Sequence, residues 1–103
     1  MKGFGDLQKM LKTAKEMQEK LQKELAEMRI EGTSGGGMVT VILDGQKNLL
    51  SIRLEPDVVN RDDIEMLQDM VIAAFNDAAA KVDEHLSQKM GSLGAGLKIP
   101  GLF

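Results

Sequence analysis

Between Asp6 and Met28 the apolar residues Leu7, Met10, Leu11, Ala14, Met17, Leu21, Leu25 and Met28 recur at intervals of three and four. That is the period of a helix and not of a strand. At roughly 100° per residue these positions fall within an arc of about 120°, and Lys9, Lys12, Lys15, Lys20 and Lys23 fall on the opposite side. The segment is therefore one long amphipathic helix with an apolar stripe and a lysine-rich back.

After Met28 the texture changes. Arg29-Ile30-Glu31 leads into Gly32-Thr33-Ser34-Gly35-Gly36-Gly37, whose backbone freedom is unfavourable in a helix. The run lacks the Lys-Ser or Lys-Thr of a phosphate-binding loop and leads into a strand, so it reads as a flexible hairpin connection. Two β-rich runs follow, Met38 to Leu43 and Asn48 to Leu54, on either side of Asp44-Gly45. That dipeptide suits a type I′ turn. With Asp44 and Gly45 at the turn centre, Leu43 faces Gln46 and Val39 faces Leu50. Val39, Val41 and Leu43 then share a face with Leu50, Ile52 and Leu54. Thr40, Ser51 and Arg53 point to the other, mixed face.

Pro56 stops the third strand, and Asn60-Arg61-Asp62-Asp63 offers a capping residue followed by acids that suit a helix N-terminus. A second long helix is expected from there to about Met90, ahead of Gly91. Its apolar line is Ile64, Leu67, Val71, Ala74, Ala78, Val82 and Leu86, and Met66, Met70, Ile72 and Phe75 spread apolar surface beyond one stripe. Such a helix has more than one packing partner. Ala73, Ala74, Ala78, Ala79 and Ala80 permit close approach to a sheet or to a second copy. The expected organisation is one α+β domain over residues 1–90 and a Gly-rich tail over 91–103. The tail reads as flexible, with docking of its apolar end, Leu97, Ile99, Leu102 and Phe103, as the alternative.

Composition removes several functions. The chain has no Cys, so disulfides, thiolate nucleophiles and thiolate metal sites are excluded. His85 is the only histidine and reads as a helix-surface residue, leaving no partner imidazole for a metal or a nucleophile–base pair. Neither metal, cofactor nor small-molecule substrate is expected, and no enzyme activity. No segment approaches the roughly 20 apolar residues needed to cross a bilayer, and the first residues lack the apolar stretch of a secretory signal. The expected location is the cytoplasm.

The ordered pieces also carry a resemblance. The Leu- and Met-rich opening helix is followed by Gly32-Thr33-Ser34-Gly35-Gly36-Gly37, Val39-Thr40-Val41, Ile52 to Pro56, Glu65-Met66-Leu67-Gln68-Asp69 and Val71-Ile72-Ala73-Ala74-Phe75-Asn76-Asp77-Ala78. In this order, and most specifically in the Ala-Ala-Phe-Asn-Asp-Ala run, the chain resembles the YbaB/EbfC family of bacterial nucleoid-associated proteins over nearly its whole length. Leu54-Glu55-Pro56 stands where Ile-Asp-Pro is common, and the Gly-rich lead at the N-terminus is short. The resemblance implies a long helix, a three-stranded antiparallel sheet and a second long helix, paired into an intertwined dimer with tweezer-like arms that bind duplex DNA. It also implies a nucleoid location and a role in gene expression or chromosome organisation.

The net charge of -3 advertises no nucleic-acid partner, so any basic footprint is local. Glu16 with Lys20 and Glu19 with Lys23 have the i, i+4 spacing of surface ion pairs. From Lys2 to Lys15 there are four lysines, Lys2, Lys9, Lys12 and Lys15, against Asp6 alone. If the helices run antiparallel, the start of the first lies near Lys81, His85 and Lys89 of the second, giving a basic arm tip. The acids Asp62, Asp63, Glu65 and Asp69 stay away from it. Lys2, Lys9, Lys12, Lys15, Lys81 and Lys89 are thus the expected DNA-binding residues, acting on phosphates with little sequence selectivity, since no Trp or Tyr is present to stack on bases. A homodimer through the sheet and the second helix is expected, because open sheet edges and surplus apolar helix surface are poorly stable alone. The competing class is a non-enzymatic protein–protein adaptor or chaperone-like clamp using the Met-rich stripe. A membrane-surface role is disfavoured, because the apolar stripe between Leu7 and Met28 has neither Trp nor Phe.

Overall fold

The computed structural model describes residues 2–97. Helix α1 spans Lys2–Glu27, strands β1, β2 and β3 span Ile30–Ser34, Val39–Leu43 and Leu49–Leu54, a short 3-10 turn covers Pro56–Val58, and helix α2 spans Ile64–Leu97. The strands form one antiparallel sheet in the order β1-β2-β3. The expected α+β order of long helix, three-stranded sheet and long helix is what the chain adopts.

Strand β1 corrects the reading of Gly32-Thr33-Ser34 as loop: these residues pair with Val41, Thr40 and Val39 of β2. Gly32 faces α2, and a Cβ there would lie 2.4 Å from the Ala74 carbonyl oxygen and the Ala78 nitrogen. This glycine lets a strand and a helix touch. The turn itself is confined to Gly35, Gly36 and Gly37, with φ of 60°, 68° and 94°. Its closing bond runs from the Gly37 N–H to the Ser34 carbonyl at 3.2 Å.

The second hairpin corrects the two-residue turn at Asp44-Gly45. Asp44 instead closes a wider loop, its Oδ1 accepting the Gln46 and Asn48 N–H groups at 2.9 Å each and its Oδ2 accepting the Asn48 side-chain amide at 2.9 Å. The residue that turns left-handed is Lys47, at φ 65°. Gly45 serves a different contact: its N–H donates to the Leu25 carbonyl at 2.8 Å, and a Cβ would lie 2.7 Å from the Met28 sulfur. Val39 therefore opposes Leu54 and not Leu50, and Leu43 opposes Leu49 across an irregularity at Ile42/Leu43, not Gln46. The displacement at Val39 is even, so Ile52 and Leu54 keep the expected face, opposite Val41 and Val39, while Leu49 takes the place expected of Leu50.

Helix α2 covers β1 and β2. Ile30, Val39, Val41 and Leu43 of the sheet, Val58 of the 3-10 turn, and Ala74, Ala78 and Val82 of α2 form the buried core. Met70, Val71, Phe75 and Leu86 pack around it. Strand β3 lies beyond the helix and is exposed at all six of its residues. The α2 cap is Asp63, whose carboxylate accepts the Met66 N–H at 3.1 Å, whereas the expected cap, Asn60, closes the preceding turn through Asp62 and Asp63. At its other end α2 passes Met90 and runs on to Leu97. Gly91 does not take the positive φ that would terminate a helix. The expectations for residues 98–103 lie outside the described residues.

Candidate nucleic-acid interface

Among the described residues, helix α1 is buried against the rest of the protein only near its C-terminal end. Residues 3–23 are all exposed, and partial burial begins at Glu24, Leu25 and Met28. A helix of 26 residues is about 39 Å long, so α1 is a cantilever. The 74 Å long axis of the protomer reflects it. Its stripe is bare: Leu7 is 52% and Met17 67% exposed. The opposite side carries Lys9, Lys12 and Lys15, which make no salt bridge among the described residues. Lys2 opens the same helix.

The other two expected lysines stand elsewhere. The α2 helix meets α1 where Lys89 reaches Glu24, so the start of α1 projects away from Lys81, His85 and Lys89. Lys9 is about 22 Å along the helix from Glu24. Lys89 holds the Glu24 carboxylate at 2.5 Å. That contact, a hydrogen bond as well as a charge pair, keeps the Glu24 carboxyl below the usual range. Lys81 pairs with Asp77 at 3.0 Å and donates to the Glu31 carbonyl at 3.3 Å. Asp77 in turn accepts the Thr33 N–H at 3.0 Å, which with Lys81 lowers its carboxyl pKa. These contacts give partners to two backbone groups of β1, the Thr33 N–H and the Glu31 carbonyl, and so partly cover that sheet edge.

The structure thus brings together Lys9, Lys12 and Lys15, with Lys2 on the same helix, and places Lys81 and Lys89 apart from them. The Glu16–Lys20 and Glu19–Lys23 pairs are not formed within 4.0 Å among the described residues. The Asp77–Lys81 spacing of i, i+4 was a readable signal for the pair that does form. Nothing local foretold Glu24 with Lys89, which the fold brings together across the sheet. Asp62, Asp63, Glu65 and Asp69 are exposed on the first turns of α2 and just before it. On α2 itself, Asp69 and Glu65 stand about 30 and 36 Å along the helix from Lys89. Charge is separated along the protomer. Among the described residues no group of three or more His, Cys, Asp or Glu is arranged to hold a metal. No described helix is long and apolar enough to cross a membrane.

A sheet-and-helix body with a long projecting helix that carries a row of lysines is the architecture of a nucleoid-associated DNA-binding family. The chain belongs to the YbaB/EbfC DNA-binding family, whose sequence profile matches residues 2–97. It is 53% identical over 104 residues to a nucleoid-associated protein of Geobacillus kaustophilus, covering 98% of this chain and 96% of that one. It is 45% identical over 106 residues to a nucleoid-associated protein of Exiguobacterium sibiricum, covering all of both chains. The crystal structure of an uncharacterized protein from Helicobacter pylori has the same fold, with a TM-score of 0.72 at 24% identity, covering 87% of this chain and 95% of that one.

Proposed function

We propose that this protein binds duplex DNA as a homodimer in the bacterial nucleoid, through lysine–phosphate contacts with little sequence selectivity, and that it acts on chromosome organisation or gene expression without catalysis. The observation that carries this reading is the row Lys9, Lys12 and Lys15 on a projecting arm, without acidic partners among the described residues. Ammonium groups held in water release condensed counterions when they meet phosphates, and they read no bases. Lys2 extends the row, while Lys81 and Lys89, already paired, contribute less.

Dimerisation is supported by what the protomer leaves open. Strand β3 has a free edge, and Ile52 and Leu54 beside it are 46% and 37% exposed although they oppose core residues. On α2, Ile72 is 57% exposed. A second copy on β3 and this side of α2 removes both faults.

The test is fluorescence anisotropy with unrelated duplex sequences over a salt series. If each arm supplies two or three lysines, about four to six phosphates are neutralised, and log affinity falls against log salt with a slope of roughly -4 to -5. Similar affinities across sequences are expected. Absence of salt-dependent binding would instead favour the adaptor reading, for which the bare Leu and Met stripe of α1 is the supporting surface.

A further inference from the structure

We propose that Glu24 and Lys89 form a latch at the root of α1 that fixes the pitch of the arm, so that Lys89 serves DNA binding by positioning α1 and not by touching phosphate. The inference rests on the DNA-binding reading above. Helix α1 is attached at few points. The Leu25 carbonyl accepts the Gly45 N–H at 2.8 Å, and the Leu25 and Met28 side chains close over Gly45 so tightly that a Cβ would meet both within 2.8 Å. These contacts sit within the last turn of the helix and the residue after it. They form a pivot about which the helix axis is free to tilt.

The loop that holds this pivot is itself tied to α2, through Lys47 and Asp83 at 2.8 Å. The Glu24–Lys89 pair closes the triangle: loop to α1, loop to α2, and α1 to α2. Among the described residues it is the one polar tie between the two helices. Beyond Glu24 the arm has no buried residue, since residues 3–23 are exposed throughout, and Ala14, Met17 and Leu21 face Lys89 across an open cleft. Lys9 stands about 22 Å from Glu24, so a tilt of about 10° at the root displaces it by about 4 Å. A charge-assisted contact of about 2.8 Å does not survive that. A phosphate approaching Lys89 would also meet the Glu24 carboxylate that occupies its ammonium.

The test uses the full chain with Glu24→Gln, Lys89→Gln and the charge exchange Glu24→Lys with Lys89→Glu. Two readouts are taken: duplex affinity against salt in the unlabelled variants, and the spread of distances between spin labels at Thr13→Cys and Glu84→Cys by pulsed electron resonance. The native chain has no Cys to interfere, and dilution with unlabelled protein isolates distances within one protomer. Both single variants are expected to broaden the distances and to weaken binding about two- to fivefold, the range an exposed ion pair supplies, with the salt slope unchanged. The exchange restores both. A Lys89→Gln slope smaller by about one, with Glu24→Gln binding as well as the parent or better, identifies Lys89 as a phosphate contact and overturns the latch. Unchanged distances in both single variants overturn it too. A parent without salt-dependent binding would defeat the DNA reading, and the distances would then decide the latch alone.

Discussion

Glycines in this chain have three separate physical roles, and substitution tells them apart. At Gly32 there is no room, because a Cβ would stand 2.4 Å from backbone atoms of α2 that cannot yield. Gly32→Ala is expected to cost about 3 kcal/mol, the upper end for overpacking, in chemical denaturation followed by circular dichroism. Gly36 has open space around it but a φ of 68°, so alanine there strains the backbone by about 1–2 kcal/mol. Gly91 is helical with nothing within 4 Å, and alanine is expected to stabilise by about 0.5–1 kcal/mol. A destabilising Gly91→Ala would mean that α2 does not continue through this residue in solution. Asp44 gives the chain an acid limit. Hydrogen bonds from the Asn48 side chain and backbone and from the Gln46 backbone hold its carboxyl below the usual range. A group whose folded pKa is depressed stabilises the fold above its unfolded pKa, about 3.9 for Asp, and loses that contribution as pH falls through the folded value. Asp77 and Glu24 are depressed as well and act in the same direction. Stability is therefore expected to be flat near neutrality and to fall below about pH 4, with the fall reduced in Asp44→Asn.

At the scale of elements, α2 supplies the helical half of the core, and the proposed DNA contacts lie on α1. Changing Lys9, Lys12 and Lys15 together to Gln leaves helix propensity nearly unchanged and lies off the apolar stripe, so the fold should persist. Duplex affinity should weaken alike for every sequence and the salt slope should flatten, while Lys20→Gln with Lys23→Gln matters less. Equal losses from the two sets would move the DNA surface toward the root of the arm. Most of this architecture was legible from periodicity, because the apolar residues of both helices and of β2 and β3 keep strict helix or strand spacing whether or not the single chain buries them. Strand β1 was not legible, because Gly32 and Ser34 fill inward positions where the strand pattern asks for large side chains; the reason is the nearness of α2, a tertiary fact. The hairpin register was missed because the Asp44 carboxylate closes a wider loop than Asp44-Gly45 favours by itself. The lysine row on α1 was readable from one helix. The positions of Lys81 and Lys89 were not, since they depend on where α1 leaves the sheet, and that is set by Gly45 against Leu25.

The protomer as a whole is too extended to be a finished globule. Its radius of gyration is 20.1 Å, whereas a compact chain of this length has about 13 Å. The excess lies in α1 and the far part of α2. The core is also lopsided: Val39, Val41 and Leu43 are fully buried, yet Leu49, Ile52 and Leu54, which oppose Leu43, Val41 and Val39 on β3, are exposed because α2 stops at β2. Edge β1 is partly covered by Asp77 and Lys81, which makes β3 the edge we propose for pairing. One closed pairing at one edge gives a two-fold dimer and not a fibre. Sedimentation equilibrium at micromolar concentration should therefore report a dimer. Ile52→Asp with Leu54→Asp should give a monomer that keeps its far-ultraviolet helix signal, since neither side chain belongs to the buried core. That monomer has one arm, so its salt slope should fall to about half that of the parent. A parent that sediments as a monomer would remove the paired-arm geometry, and a double variant that remains dimeric would move the interface from β3 to the bare stripe of α1.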